Sequence, residues 1–201
     1  MSEFLKVWSS KAPLGRALDI GAGVGNHARW LAARGFEVDA VESHPKQIEA
    51  LRQAVSGTGV VVHEVDIRQF DLPPQRYSLI IGLAVFHFIA SSDMTPLASR
   101  LQASLEPGGL LLAQVFTVDD PGYQAARQLG LPEIEPNTFE MDPPANLIHY
   151  FEMDELPAFF SQLEVLHYTR ERVLAPDSEA GYRAGAALVA RKQDIPDDSD
   201  A

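Results

Sequence analysis

The segment ALDIGAGVGNHARWLAARGFEVDAVES, residues 17–43, decides the fold. An apolar run, Arg16 to Ile20, leads into glycines at 21, 23 and 25; Ala28 to Arg34 then repeats Ala and Leu with helical spacing until Gly35, a natural C-cap. Phe36 to Glu42 alternates with period two and ends on an acid. Strand, tight turn, helix and strand in succession describe a βαβ unit, whose two strands lie side by side and parallel. Glycines in its first turn let the backbone adopt otherwise forbidden angles and approach a ligand closely, so Gly21, Gly23 and Gly25 leave room for a flat, elongated molecule.

Outward from this unit the alternation continues. His44 to Val55 places Ile48, Leu51 and Val55 on one helical face, with Pro45 in the first turn. Gly59 to Asp66 reads as a strand, Tyr77 to Phe86 as a fully buried strand running into a helix or turn, Pro96 to Leu105 as a helix stopped by EPGG, and Leu110 to Phe116 as the fifth strand. Between Thr117 and Ile148 the pattern dissolves into a segment rich in Pro and acids, with one helical hint at Gln124 to Leu129. Such a stretch suits a lid or binding loop. Met153 to Leu163 reads as a helix; Glu164 to Leu174 and Gly185 to Lys192 read as strands whose short connection suits antiparallel pairing. Ser2 to Ser10 spaces Phe4, Leu5 and Trp8 as a short amphipathic helix, and the acidic tail from 193 to 201 is expected to be disordered. The expected fold is α/β: a doubly wound, mostly parallel sheet of seven strands closing on an antiparallel hairpin, in one domain over residues 1–192.

Composition narrows the function. With 46% hydrophobic and 22% charged residues the 201-residue chain reads as globular, and neither a membrane-length apolar run nor a secretory signal pattern is visible, which leads to the expectation of a cytoplasmic protein. The absence of cysteine excludes thiolate metal sites and cysteine nucleophiles, and no metal-binding His spacing stands out. A net charge of −12 without a dense Lys/Arg cluster argues against nucleic acid and anionic membranes as partners and favours small neutral or cationic ligands. Oligomeric state is not legible.

Two ligand classes use this glycine-turn geometry, dinucleotides and S-adenosylmethionine. The dinucleotide fingerprint needs a third glycine at position 26, where Asn26 stands, so the competing class, a nicotinamide-dependent oxidoreductase, is disfavoured by Asn26 and by the C-terminal hairpin. Asp19, two residues before the loop, suits the cationic α-amino group of a methionine moiety, and Glu42 suits a ribose diol, to which a carboxylate can offer two hydrogen bonds. LDIGAGVG, Glu42, VDIRQFD, YSLIIGLAVFHF and LEPGGLLLAQVF together resemble the ordered motifs of class I S-adenosylmethionine-dependent methyltransferases. LAARGFEVDAVE, TVDDPGY and the FEMDEL, LEVLHY and ALVARK ending are most similar to the TehB-like, tellurite methyltransferase group.

This resemblance implies a Rossmann-like fold and assigns roles. Gly21, Ala22, Gly23 and Gly25 line the methionine part, Glu42 with Ser43 holds the ribose, Asp66 and Ile67 flank the adenine, and Leu83 lies near the cofactor. His27 either bonds the cofactor carboxylate or simply starts its helix. His87 is the nearest base candidate, with packing in an apolar turn as its other reading. His149 with Tyr150, and the pair Asp119 and Asp120, are each weighed between site and scaffold. The family group carries a His-Arg pair before its final hairpin, where this chain has TRERV, so Arg170 or Arg172 would have to attract an anionic acceptor. The expected activity is methyl transfer to a small acceptor, a soft nucleophile such as tellurite, selenite or a thiol; a non-catalytic S-adenosylmethionine-binding module is the alternative from another class.

Overall fold

The computed structural model describes residues 2–142, 146–175 and 180–193. Seven strands form one sheet: β1 (Arg16–Ile20), β2 (Glu37–Glu42), β3 (Val61–Glu64), β4 (Tyr77–Leu83), β5 (Leu105–Phe116), β9 (Glu164–Leu174) and β10 (Tyr182–Arg191). Their order is β3-β2-β1-β4-β5-β10-β9. The first five pair in parallel, while β10 runs antiparallel to both β5 and β9. The expected doubly wound sheet with its closing hairpin is thus the fold observed.

Parallel strands buried on both faces need apolar residues on both, and β1 and β4 supply them: Leu18 and Ile80 pack to one side, Ala17 and Leu79 to the other. Helices α2 (Asn26–Ala32), α3 (Pro45–Ala54) and α4 (Ser91–Ser104) are the crossovers. Helix α1 (Glu3–Ser9) is capped by Ser2, whose hydroxyl accepts the Leu5 N–H, and it buries Leu5 against the cluster that holds Leu110, Leu112 and Val189. It covers the sheet, as its amphipathic spacing suggests.

Several boundaries depart from the sequence expectation. Strand β4 ends at Leu83 rather than Phe86, because Ala84 turns into the left-handed region (φ 61°) and residues 86–88 form a 3-10 turn. Helix α4 begins at Ser91 and contains Pro96 inside; its first turn is held from outside by Glu135, whose carboxylate accepts both the Ser92 N–H and the Ser92 hydroxyl. The EPGG segment continues β5 instead of separating it from α4: Gly108 N–H donates to Lys192 O and Lys192 N–H to Gly109 O, so the end of β10 extends the pairing. Strand β3 is four residues long, β10 starts at Tyr182, and the helix expected over 153–163 is reduced to α6 (Glu155–Phe159).

The largest difference lies between residues 117 and 148. Helix α5 (Pro121–Gln128), capped by Asp120, is followed by an antiparallel sheet of β6 (Glu133–Glu135), β7 (Thr138–Glu140) and β8 (Leu147–His149). Its own small core unites Phe139, Ile148, Tyr150 and Ala126, with Tyr123 edge-on to Phe139 and Tyr150. Residues 194–201 of the acidic tail lie outside the described residues.

Candidate functional site

The glycine loop closes the C-terminal end of β1. Gly21 and Ala22 donate their N–H groups to Val41 O at 2.9 and 3.1 Å, which ties the loop to β2. All three glycines sit at positive φ, for different reasons. A Cβ on Gly21 would stand 2.5 Å from Val85, and one on Gly25 would stand 2.6 Å from Leu51 on α3; at Gly23 it would meet nothing within 4 Å. Two glycines therefore serve packing, and the middle one faces open space.

Glu42, at the end of β2, is 9% exposed and collects backbone donors. Its Oε2 accepts the Gly23 N–H, and Oε1 accepts those of Ser43 and His44, all at 2.8 Å. A carboxylate offers about four acceptor positions, so one remains for a hydroxyl where a free side chain would offer a diol two bonds. The bond from Gly23 makes Glu42 part of the loop's framework as well as its polar edge.

Asp19 is 1% exposed, between Ala40 of β2 and Ile81 of β4, with Oδ2 lacking any partner. Burial pushes its carboxyl up to about 7; the Ala28 amide opposes this, and the charge of Glu42 adds to it. It lies behind the loop, in the sheet interior.

A cavity of about 350 Å³ opens in front of the loop. Gly21, Glu42, Ser43, Asp66 and Ile67 line it, so five of the residues singled out in the sequence converge there. Apolar walls come from Ile20, Val41, Val65 and Ile89, with Phe88 at one side. Four polar lining residues carried no sequence signal: His44, whose Nδ1 is buried without a partner; Gln47; Asn146, reaching in from the end of the small sheet; and Arg68. Arg68 clasps Asp66 through Nε and Nη2 at 3.0 and 2.6 Å and reaches Asp93 at 2.7 Å, holding the Asp66 carboxyl below its ordinary range.

The remaining expected residues lie elsewhere. Ala22 and Gly25 are buried in the loop's packing, and Leu83 packs into the cluster on the α2 side while its neighbour Ala84 faces the cavity. His27 lies in a separate surface groove with Ser2, Asn26 and Trp30, where burial lowers its pKa.

Ala84 also lines a second cavity, of about 180 Å³, at the adjoining ends of β4, β5 and β10. His87 forms part of its wall, 1% exposed, stacked at 4.4 Å on Phe116 and 4.3 Å from Phe88, with Nδ1 unpartnered. Burial, with a contribution from Arg183, lowers its pKa to about 3, so the imidazole is neutral at physiological pH. Arg183 is the arginine of this cavity. Arg170 is paired with Asp119, and Arg172 lies exposed over the Tyr182 ring. Asp120, fully buried, caps α5 and bonds Arg183 and the Ala184 N–H. His149 is a scaffold residue, buried between Thr138 Oγ1 at 2.8 Å and Glu155 Oε1 at 3.0 Å, and Tyr150 belongs to the core of the small sheet. Among the described residues no cluster of three or more His, Asp or Glu is arranged to hold a metal, and no helix is long and apolar enough to cross a membrane.

Residues 17–109 match the family model described as a methyltransferase domain. Over 123 residues, 61% of the chain, it is 28% identical to an uncharacterized methyltransferase of Mycobacterium tuberculosis. Over 122 residues, 58% of the chain, it is 30% identical to carboxy-S-adenosyl-L-methionine synthase of Vibrio parahaemolyticus. The matched part spans about half, 48%, of each of these relatives. Among solved structures, an S-adenosylmethionine-dependent methyltransferase of Methanosarcina mazei superposes with a TM-score of 0.76 at 17% identity, covering 93% of this chain and 97% of its own. TehB of Haemophilus influenzae gives 0.70 at 18% identity, covering 95% and 62%. The N-methyltransferase NodS of Bradyrhizobium japonicum, in complex with S-adenosylhomocysteine, gives 0.70 at 15%, covering 96% and 85%.

S-adenosylmethionine is the cofactor of this class, and the first cavity fits it. Glu42 keeps one acceptor position at the ribose end, the lining residue His44 has its Nδ1 buried without a partner, and the apolar walls beside Asp66 and Ile67 suit a flat base.

Proposed function

We propose that the protein binds S-adenosylmethionine in the first cavity and transfers its methyl group to a small molecule held in the second. The observation that supports this most directly is the adjacency of the two spaces, which share Ala84 at the end of β4. One is edged by acids placed for a nucleoside; the other is walled mainly by small and apolar side chains around a neutral histidine.

Bound S-adenosylmethionine supplies a sulfonium methyl group for in-line displacement, a reaction that depends chiefly on alignment and on a desolvated acceptor. The chain contributes both. The glycine loop and Glu42 fix the cofactor side, Phe88 and Asn146 narrow the opening, and Val115, Phe116 and Ala186 exclude water around the acceptor. His87, with a pKa near 3, is a weak proton acceptor, so its role here is to orient the acceptor by a hydrogen bond. An acceptor that reacts without a protein base matches this site: a soft, polarizable nucleophile such as a thiol, whose proton passes to water. The net charge of −12 supports a small acceptor over nucleic acid or an anionic membrane, and a cytoplasmic setting supplies such acceptors.

Calorimetry with S-adenosylhomocysteine, S-adenosylmethionine, NAD and NADP tests the cofactor, and release of S-adenosylhomocysteine in the presence of small thiols tests the reaction. Binding of the two adenosyl compounds together with thiol-dependent release is expected. NAD binding without an S-adenosylhomocysteine signal would overturn the reading, and binding without turnover on any small acceptor would turn the protein into a sensor module.

A further inference from the structure

Resting on the reading that the second cavity holds the methyl acceptor, we propose that this cavity selects by charge. Glu171 makes it a pocket for an acceptor with an apolar body and a neutral or cationic head, and one that turns oxyanions away.

Strand register builds the pocket. Phe116, Gly185 and Glu171 stand opposite one another across β5, β10 and β9, and Gln114, Ala187 and Thr169 form the neighbouring row. Directly opposed residues share a face of the sheet, so Gly185 and Ala187 form a shallow floor between Phe116 and Gln114 on one side and Glu171 and Val173 on the other. The floor stays low at Gly185, because a Cβ there would stand 2.7 Å from Val115 O.

Arg183 at the end of this trough is already matched. Fully buried Asp120 accepts its Nη1 at 3.2 Å, and a buried carboxylate retains its counterion. Arg170, next to Glu171 in sequence, points to the other face of β9 and is paired with Asp119. His87 is uncharged at neutral pH. Glu171 remains exposed, with no hydrogen-bond or ion-pair partner among the described residues, and gives the wall a net negative charge. An anionic acceptor would meet an unpaired carboxylate on a chain that is itself strongly acidic.

Benzylamine, benzyl alcohol and benzoate share one apolar body and differ in the charge of the head. Their affinities are to be measured by nuclear magnetic resonance titration of the full chain saturated with S-adenosylhomocysteine, for wild type, Glu171→Gln and Glu171→Lys. Benzoate is expected to bind about ten-fold more weakly than benzylamine, a modest effect for unit charges a few ångström apart. Glu171→Gln should bring the two within about two-fold, and Glu171→Lys should reverse their order. Glu171 is exposed, and retained S-adenosylhomocysteine binding reports that each variant is folded. If S-adenosylhomocysteine binds but benzoate matches or exceeds benzylamine, if Glu171→Gln leaves the ratio unchanged, or if none of the three probes binds, the charge filter is refuted while the cofactor assignment stands. Failure to bind S-adenosylhomocysteine removes the cofactor assignment, and this inference with it.

Discussion

Glu42→Gln separates the two duties that the structure gives this side chain. The carboxylate accepts three backbone N–H bonds at 2.8 Å, one from Gly23 through Oε2 and two from Ser43 and His44 through Oε1. Glutamine keeps one oxygen. If that oxygen stays with Ser43 and His44, the new NH₂ faces the Gly23 N–H, donor against donor. One bond to a charged acceptor is lost and one donor is left to the open cavity, a cost of about 1.5–3 kcal/mol that water reaching Gly23 reduces toward the lower figure. Urea denaturation of the ligand-free protein reads this term. The last acceptor position of Oε2, the one available to a ribose hydroxyl, disappears as well, so calorimetry should show S-adenosylhomocysteine bound about ten- to hundred-fold more weakly. A variant that loses stability yet binds within two-fold of wild type would show that Glu42 holds the loop and never touches the cofactor. Unchanged stability would show that the Gly23 bond contributes nothing net.

Four further outcomes are expected. The Asp19 carboxyl titrates near 7 in the fold against an ordinary 3.8, so its protonated form is the favoured one; its contribution is complete below about pH 4 and lost as pH rises through 7. Asp19→Asn should therefore flatten the decline in unfolding free energy between about pH 4 and 7, by on the order of a few kcal/mol; equal slopes in both proteins would contradict this burial cost. His87→Ala should retain more than about a tenth of thiol methylation, since a general base is worth about 10²–10⁴ where one is used, and a loss of that size with intact cofactor binding would make His87 the base. Both Gly21→Ala and Gly23→Ala strain a positive φ, but only the Cβ at Gly21 meets Val85 at 2.5 Å, so Gly21→Ala should lower the melting temperature the more; an equal or larger drop for Gly23→Ala would contradict the packing role of Gly21. Gel-shift titration with duplex DNA at physiological salt should show no complex, given the charge of −12, and a salt-sensitive micromolar complex would reopen nucleic acid as the acceptor.

By itself the sequence determined the sheet and the pairing of glycine loop and acid at the first cavity, because both are written in local pattern. Spaced glycines between an apolar run and a helix have few other conformations, and an acid at the end of the next strand must fall beside the loop once two parallel strands pair; Glu42 lies there, bonded to Gly23. Aromatic and branched residues likewise announced β9, and the apolar run from Gly185 announced most of β10. Tertiary structure alone decided the rest. Strands of three residues, as in β6, β7 and β8, are too short to show a period of two, and they exist because Phe139, Ile148 and Tyr150 find one another and Ala126. The start of α4 depends on Glu135, 43 residues away in sequence, and the extension of β5 depends on Lys192. The second cavity was hidden most completely. Arg170 and Arg172 stood out in the sequence, yet pairing with Asp119 and stacking on Tyr182 occupy them, while Arg183 and Glu171 reach the cavity through the register of three strands. Register is a relation between distant segments, so no single segment carries it.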